Sequence, residues 1–210
     1  GMKRRMSLLV GTVAVASLAG TASGQRYIVG SDHDFSTTGW ANGEICLPCH
    51  TPHHADTAFP RLWNHEVTTA TYTMHEGTGT AVDDFDTSSR LCLSCHDGTV
   101  ALDSFGGQSG TVYIGGGALI GTDLTDDHPV GVEYPGGSRF AAVGTIWGSH
   151  PGIAGTYGNL PLFDDLGQDQ VECATCHTPH SNTNGDFLRI KNNDPAQPSA
   201  LCVNCHITHE

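Results

Sequence analysis

Apolar positions gather in only one long run of the 210-residue chain, Met6 to Ala19. The run follows Lys3, Arg4 and Arg5 and precedes Ala22-Ser23-Gly24. A charged flank, an apolar stretch too short to span a bilayer and a small-residue site mark a secretory signal peptide, so residues 1–24 are expected to be removed on export. A short buried helix is the competing reading of that run. Arg4-Arg5 is weak evidence for a twin-arginine route, and the absence of cysteine at the cleavage site argues against a lipoprotein anchor. No later run approaches the roughly 20 residues of a membrane-spanning helix.

Beyond residue 24 the pattern predicts little regular structure. Stretches 105–125 and 136–160 are rich in glycine, with scattered Val, Ile, Tyr and Trp such as Thr111-Val112-Tyr113-Ile114. They read as loops with a few short strands. Short helical turns are expected only around the cysteines.

Composition sharpens this picture. Hydrophobic residues make up 38% of the chain, while glycine and proline number 27 and 10. A large aliphatic core is therefore not expected, yet the chain carries 8 Cys and 13 His. From Gln25 onward six basic residues face twenty-two acidic ones, a net charge of −16. That balance disfavours nucleic acid and anionic membrane surfaces as partners, because both need Lys and Arg.

The cysteines form four C-x-x-C pairs: Cys46 and Cys49, Cys92 and Cys95, Cys173 and Cys176, Cys202 and Cys205. Each pair is followed at once by a histidine: His50, His96, His177 and His206. C-x-x-C-H is the attachment signature of c-type haem. The two thiols add to the haem vinyl groups as thioethers, and the next residue reaches the iron. Disulfides would not need a histidine after every pair. A zinc site would pair two C-x-x-C units closely, whereas 42 residues separate Cys49 from Cys92. A thioredoxin-like motif would occur once, near a βαβ pattern. The expected cofactors are four haem c groups, and the expected fold class is an irregular multihaem c-type cytochrome. It is mostly loop, with short α-helices at the haem motifs, few short β-strands and a haem stack as the core.

Each iron needs a sixth ligand or stays open. Met2 and Met6 lie in the signal peptide, so Met74 alone remains and at most one haem has His/Met ligation. Bis-His ligation and low potentials are the default. An internal repeat narrows the choice of distal ligand. Cys46 to His53 reads C-L-P-C-H-T-P-H, and Cys173 to His180 reads C-A-T-C-H-T-P-H. Each is preceded by a histidine beside acidic residues, His33 and His128, and followed by a plain C-x-x-C-H. His33, His53, His128 and His180 are thus the distal candidates. His53 and His180 sit three residues after a proximal histidine, too near the same haem face to reach its far side, but able to reach a neighbouring haem. His54, His65, His75, His150 and His209 read as solvated or supporting residues, and Trp40, Trp63 and Trp147 as packing on porphyrin faces. The repeat divides the mature chain into a first dihaem half with a Gly-rich extension, 25–125, and a second dihaem half, 126–210.

Ser31-Asp32-His33-Asp34-Phe35-Ser36, the C-x-x-C-H-T-P-H element, Pro60-Arg61-Leu62-Trp63-Asn64, Cys92-Leu93-Ser94-Cys95-His96-Asp97-Gly98 and Asp127-His128-Pro129-Val130-Gly131 carry a resemblance. Together they resemble the tetrahaem extracellular cytochromes that polymerise into nanowires, the OmcE type. The likeness covers most of the mature chain and is weak in 105–125 and 136–160. It implies a filament with a continuous haem stack, all-bis-His ligation and one distal histidine donated to the next protomer; by position that is His53, with His33 second. Compact tetrahaem cytochromes, often basic around their haems, are a poorer match.

Three functions follow for testing. The first is an electron conduit at the cell surface or outside the cell, exchanging electrons with other cytochromes or extracellular acceptors. The second is a monomeric periplasmic shuttle with all ligands in one chain. The third is a multihaem reductase, which would need an open iron; the surplus of histidine disfavours it, and no catalytic residue is assigned.

Overall fold

The structure, a computed structural model, describes residues 28–75, 79–81, 85, 87–135, 138–141, 160–163, 169–195 and 197–206. Residues 1–24, expected to be a signal peptide, as well as Trp147, His150, His209 and most of 136–160 lie outside them.

Regular elements are short, as the glycine content and weak periodicity require. In chain order they are a 3₁₀ turn Phe35–Thr37, strands β1 (Thr71–Thr73) and β2 (Gly79–Ala81), helix α1 (Thr87–His96), a 3₁₀ turn Gly116–Ala118, β3 (Val132–Glu133), β4 (Gln170–Val171), α2 (Cys173–Cys176), β5 (Asn193–Asp194), β6 (Gln197–Pro198) and α3 (Ala200–Val203). The strands make three separate antiparallel pairs, with Tyr72 opposite Thr80, Val132 opposite Val171 and Asn193 opposite Pro198. The chain is mostly loop with short helices at the cysteine motifs, the expected irregular class. Thr111–Ile114 departs from the reading as a strand. Its single tie of this kind is Leu102 N–H to the Val112 carbonyl, at 2.7 Å, and no neighbouring segment completes a ladder.

Among the described residues the buried apolar side chains gather mainly in three small clusters. Tyr72, Phe85, Leu93 and Leu124 form one, Tyr134, Ala141 and Val171 a second, and Leu160, Ile190 and Ala200 a third. Cys205 packs against both of the last two. In the first, Gly131 lies in the left-handed region with φ +68°, and a Cβ there would stand 2.7 Å from the Phe85 ring. Only glycine lets the 130s loop close onto Phe85.

The longest helix, α1, buries serine where leucine is usual. Ser94 Oγ accepts from Thr68 N–H at 3.1 Å, and Ser89 Oγ accepts from Cys173 N–H at 2.9 Å. Irregular segments crossing a helix need such acceptors, because their own backbone donors have no ladder. The second contact joins the first motif-bearing half to the second.

Candidate metal centres

Each C-x-x-C-H forms one helical turn. His50 N–H donates to the Cys46 carbonyl at 2.8 Å, His177 N–H to Cys173 at 3.0 Å and His206 N–H to Cys202 at 2.9 Å. The second motif closes α1, with His96 as its last residue.

The first and third motifs share more than their sequence repeat. Each is clamped by a returning segment whose first two residues have positive φ: Arg61 and Leu62 in one, Asp186 and Phe187 in the other. In the first, Thr51 N–H donates to Leu62 and Asn64 N–H to the Cys49 carbonyl; in the third, Thr178 N–H donates to Phe187 and Arg189 N–H to Cys176. Bridges pair His50 with Trp63 and His177 with Leu188. The two clamps are structural copies, although Pro60-Arg61-Leu62-Trp63-Asn64 and Gly185-Asp186-Phe187-Leu188-Arg189 share almost no residues.

The clamps orient the imidazoles. His50 Nδ1 donates to the Arg61 carbonyl at 2.7 Å, and His177 Nδ1 to the Asp186 carbonyl at 2.8 Å. His96 Nδ1 donates to the Ala118 carbonyl at 2.8 Å. The Gly-rich stretch also holds this motif through its backbone, since Ile120 and Gly121 N–H donate to the His96 carbonyl. A carbonyl can only accept, so Nδ1 carries the proton and Nε2 keeps its lone pair. That tautomer is the one a metal-bound histidine needs. Sequence reasoning missed these acceptors because any residue supplies a carbonyl.

The distal candidates meet proximal histidines in three places. Ring centroids lie 6.1 Å apart for His33 and His96, 6.0 Å for His50 and His180, and 6.2 Å for His128 and His206. Two imidazoles bound through Nε2 to one metal at about 2 Å each have centroids about 6 Å apart. Burial lowers the pKa of His33, against the Pro179 carbonyl that raises it, and burial with the charges of His50 and Arg61 lowers that of His180. Both are held neutral, the state that ligates. His33 stacks on Phe187 at 4.3 Å, and its Nδ1 donates to the Pro179 carbonyl at 3.4 Å. His128 Nδ1 lies 3.0 Å from the Pro129 carbonyl. The His50 and His180 pair joins the two halves, whereas the repeat alone assigns two proximal and two distal candidates to each. His53 and His177 are both exposed and, among the described residues, their rings meet no other histidine.

The sulfurs are neighbours in chain order. Cys95 lies within electrostatic reach of Cys49, the Cys92 and Cys173 thiols are hydrogen-bonded, and Cys176 is within reach of Cys205 and Cys202. Burial pushes the thiol of Cys49 up to about 11, that of Cys176 to about 11 and that of Cys95 to about 12. The hydrogen bond from the Cys92 thiol instead lowers that of Cys173, to about 7. Among the described residues no cluster of three His, Cys, Asp or Glu side chains forms a bare-ion site.

Of the five other histidines, His54, His65 and His75 lie among the described residues. His65 is buried, with Nδ1 2.7 Å from the Glu66 carbonyl and Nε2 3.1 Å from the Ala101 carbonyl. His54 and His75 are exposed. Trp40 lies against Phe35 and Phe105, and Trp63 stands edge-on to His50 at 5.9 Å. The Trp63 indole nitrogen is buried without a partner among the described residues. An orphan donor of this kind costs about 1–3 kcal/mol, so a polar group belongs beside it. A haem propionate fits that requirement. Ring spacing, tautomers and the orphan donor all agree with a haem at these motifs.

Residues 167–210 match the family described as a doubled CXXCH motif. No curated protein matches the chain. The motifs and this match support haem c as the cofactor and electron transfer as the role. Among the described residues no helix is long and apolar enough to cross a membrane.

Proposed function

We propose that this chain is exported, binds four haem c groups and carries electrons over long range as a self-associating filament outside the cell. One observation carries the reading: three proximal and distal histidines already stand at the separation one iron sets. Cys46, Cys49 and His50 hold the first haem with His180 distal. Cys92, Cys95 and His96 hold the second with His33. Cys202, Cys205 and His206 hold the fourth with His128. Cys173, Cys176 and His177 hold the third, and its distal ligand is the remaining repeat histidine, His53. The haems supply one-electron redox chemistry. The protein spaces them, fixes their ligands and keeps water away.

Pairing supports the filament. His53 stands in the repeat where His180 stands, and His180 reaches across to the other repeat's proximal histidine. His53 and His177 are exposed and do not meet within one chain, which favours donation to a second copy. His33, the second candidate for the crossing ligand, faces His96 in the same chain, which favours His53, the first.

Absorbance of the pyridine haemochrome against protein mass tests the cofactor count: four haems per chain are expected, and two or three would refute it. Electron micrographs of the native protein test the filament, and single particles at every concentration count against it. His180→Ala, His33→Ala and His128→Ala should each turn one haem from low-spin to high-spin in the visible spectrum. Three variants with unchanged spectra would overturn the ligand pairs.

Charge bears on assembly. Propionates add to the −16 of the chain from Gln25 onward. Like charges brought together are screened by salt. Filaments should therefore grow more stable with added salt or divalent cations, as measured by sedimentation. A flat salt response would be inconsistent with packing such acidic protomers.

A further inference from the structure

The residue after each motif histidine is neutral in three cases, Thr51, Thr178 and Ile207, and acidic in one, Asp97. Asp97 continues α1 by one bond, its N–H donating to Leu93 at 2.9 Å, and its side chain turns inward, 5% exposed. Its Oδ2 accepts from Tyr72 Oη at 2.6 Å and from Thr68 Oγ1 at 2.7 Å. Its Oδ1 accepts from Thr99 N–H at 2.7 Å and from Thr99 Oγ1 at 2.8 Å. These donors come from the segment before β1, from β1 and from the turn after α1. All four are neutral. They stabilise a carboxylate against burial without cancelling its charge. The charge lies near the attachment edge of the second motif, where it adds to burial and to Cys49 in pushing the Cys95 thiol up.

We propose that Asp97 is a positioning residue for the haem held at Cys92 and Cys95, a fixed buried anion that keeps this haem's potential below the value its ligands alone would set. The inference rests on the haem reading above. An anion beside a haem disfavours adding an electron. A unit charge acting over about 10 Å at an effective dielectric of about 20 shifts such an equilibrium about tenfold. For a one-electron couple that is about 59 mV. The haems of the other motifs carry no such group at the matching position. Asp97 then sets a step in potential at the haem whose proximal ligand closes α1, while Glu172, 1% exposed beside Cys173, is a second buried carboxylate at the motifs.

Spectroelectrochemical titration of the full haem-loaded protein tests this. In Asp97→Asn one midpoint should rise by about a tenfold change in its equilibrium, with the others unmoved. Thr99→Ala keeps the charge and removes one donor hydroxyl from the surface side, so the same midpoint should fall. A purely structural strut would move both variants in the same direction, or neither, and either result overturns the proposal. If Asp97→Asn does not fold, Thr99→Ala and Tyr72→Phe decide: a falling midpoint supports the anion, and an unmoved or rising one refutes it. Mass spectrometry of the unmodified protein separates the two layers. A missing haem at Cys92 and Cys95 would overturn the haem reading itself, whereas a loaded haem with an indifferent midpoint overturns only the role of Asp97.

Discussion

Produced without haem attachment, the chain should lose this fold altogether. Its far-UV circular dichroism should be that of a disordered chain, and its amides should exchange without protection. The reason lies in how little the polypeptide holds by itself. Among the described residues most buried apolar side chains fall into three clusters of three or four residues, with Ala41, Trp63 and Ala101 outside them. Helices α2 and α3 are four residues long, and the strands two or three. Isolated helices below about 12 residues and lone two-stranded hairpins are marginal in water. Ordering costs about 1–2 kcal/mol per residue of backbone. Clusters of this size cannot offset that cost over nearly two hundred residues. The motif turns meanwhile hold imidazoles in pairs with centroids 6.0 to 6.2 Å apart, a spacing suited to one metal between them. Eight thioether bonds and the burial of four porphyrins would supply the missing stabilisation. Replacing all eight cysteines by serine should give the same unfolded state. A cooperative thermal transition with near-UV dichroism in the haem-free chain would show that the polypeptide folds first and that the haems only decorate it.

The parts of this organisation legible in the sequence are those written in side chains. Four C-x-x-C-H motifs, the repeat around His53 and His180, and the acidic settings of His33 and His128 stand out because cysteine and histidine are chemically specific. The hydrogen bonds that orient the rings were not legible. Arg61, Ala118 and Asp186 act through their carbonyls, and no residue type advertises that role. The copied clamps were hidden for the same reason. Arg61-Leu62 and Asp186-Phe187 share a backbone conformation, with positive φ at non-glycine positions, but not side chains. Thr111–Ile114 has strand-forming residues and no strand, because β-propensity acts only where a partner edge exists. Asp97 could be read as part of a motif but not as buried, since its donors Thr68 and Tyr72 lie 25 or more residues earlier.

Replacing His53 by alanine should abolish self-association while every haem stays covalently attached. The effect is expected to be large because the ligand is also the joint. An iron–imidazole bond across protomers fixes distance and orientation together, whereas the rest of the surface carries a strong negative charge that opposes contact. In His53→Ala, one haem per chain should become high-spin, at every concentration. His180→Ala should also leave one haem high-spin, but at His50, a pair closed inside the chain. It should weaken assembly only indirectly. The unmodified protein gives the sharper control. If His53 binds a neighbouring chain, dilution below the assembly threshold should convert one haem of four to the high-spin form, and concentration should restore it. If His53 folds back onto His177 of its own chain, the spectrum should be low-spin at all dilutions. His53→Ala would then change ligation in a protein that is monomeric throughout, and the chain would be a tetrahaem shuttle. A high-spin haem that persists in the assembled wild-type protein, and binds carbon monoxide when reduced, would point instead to an open iron and a reductase. Spin state followed against concentration therefore separates the three functions in one titration, because each assigns His53 a different partner.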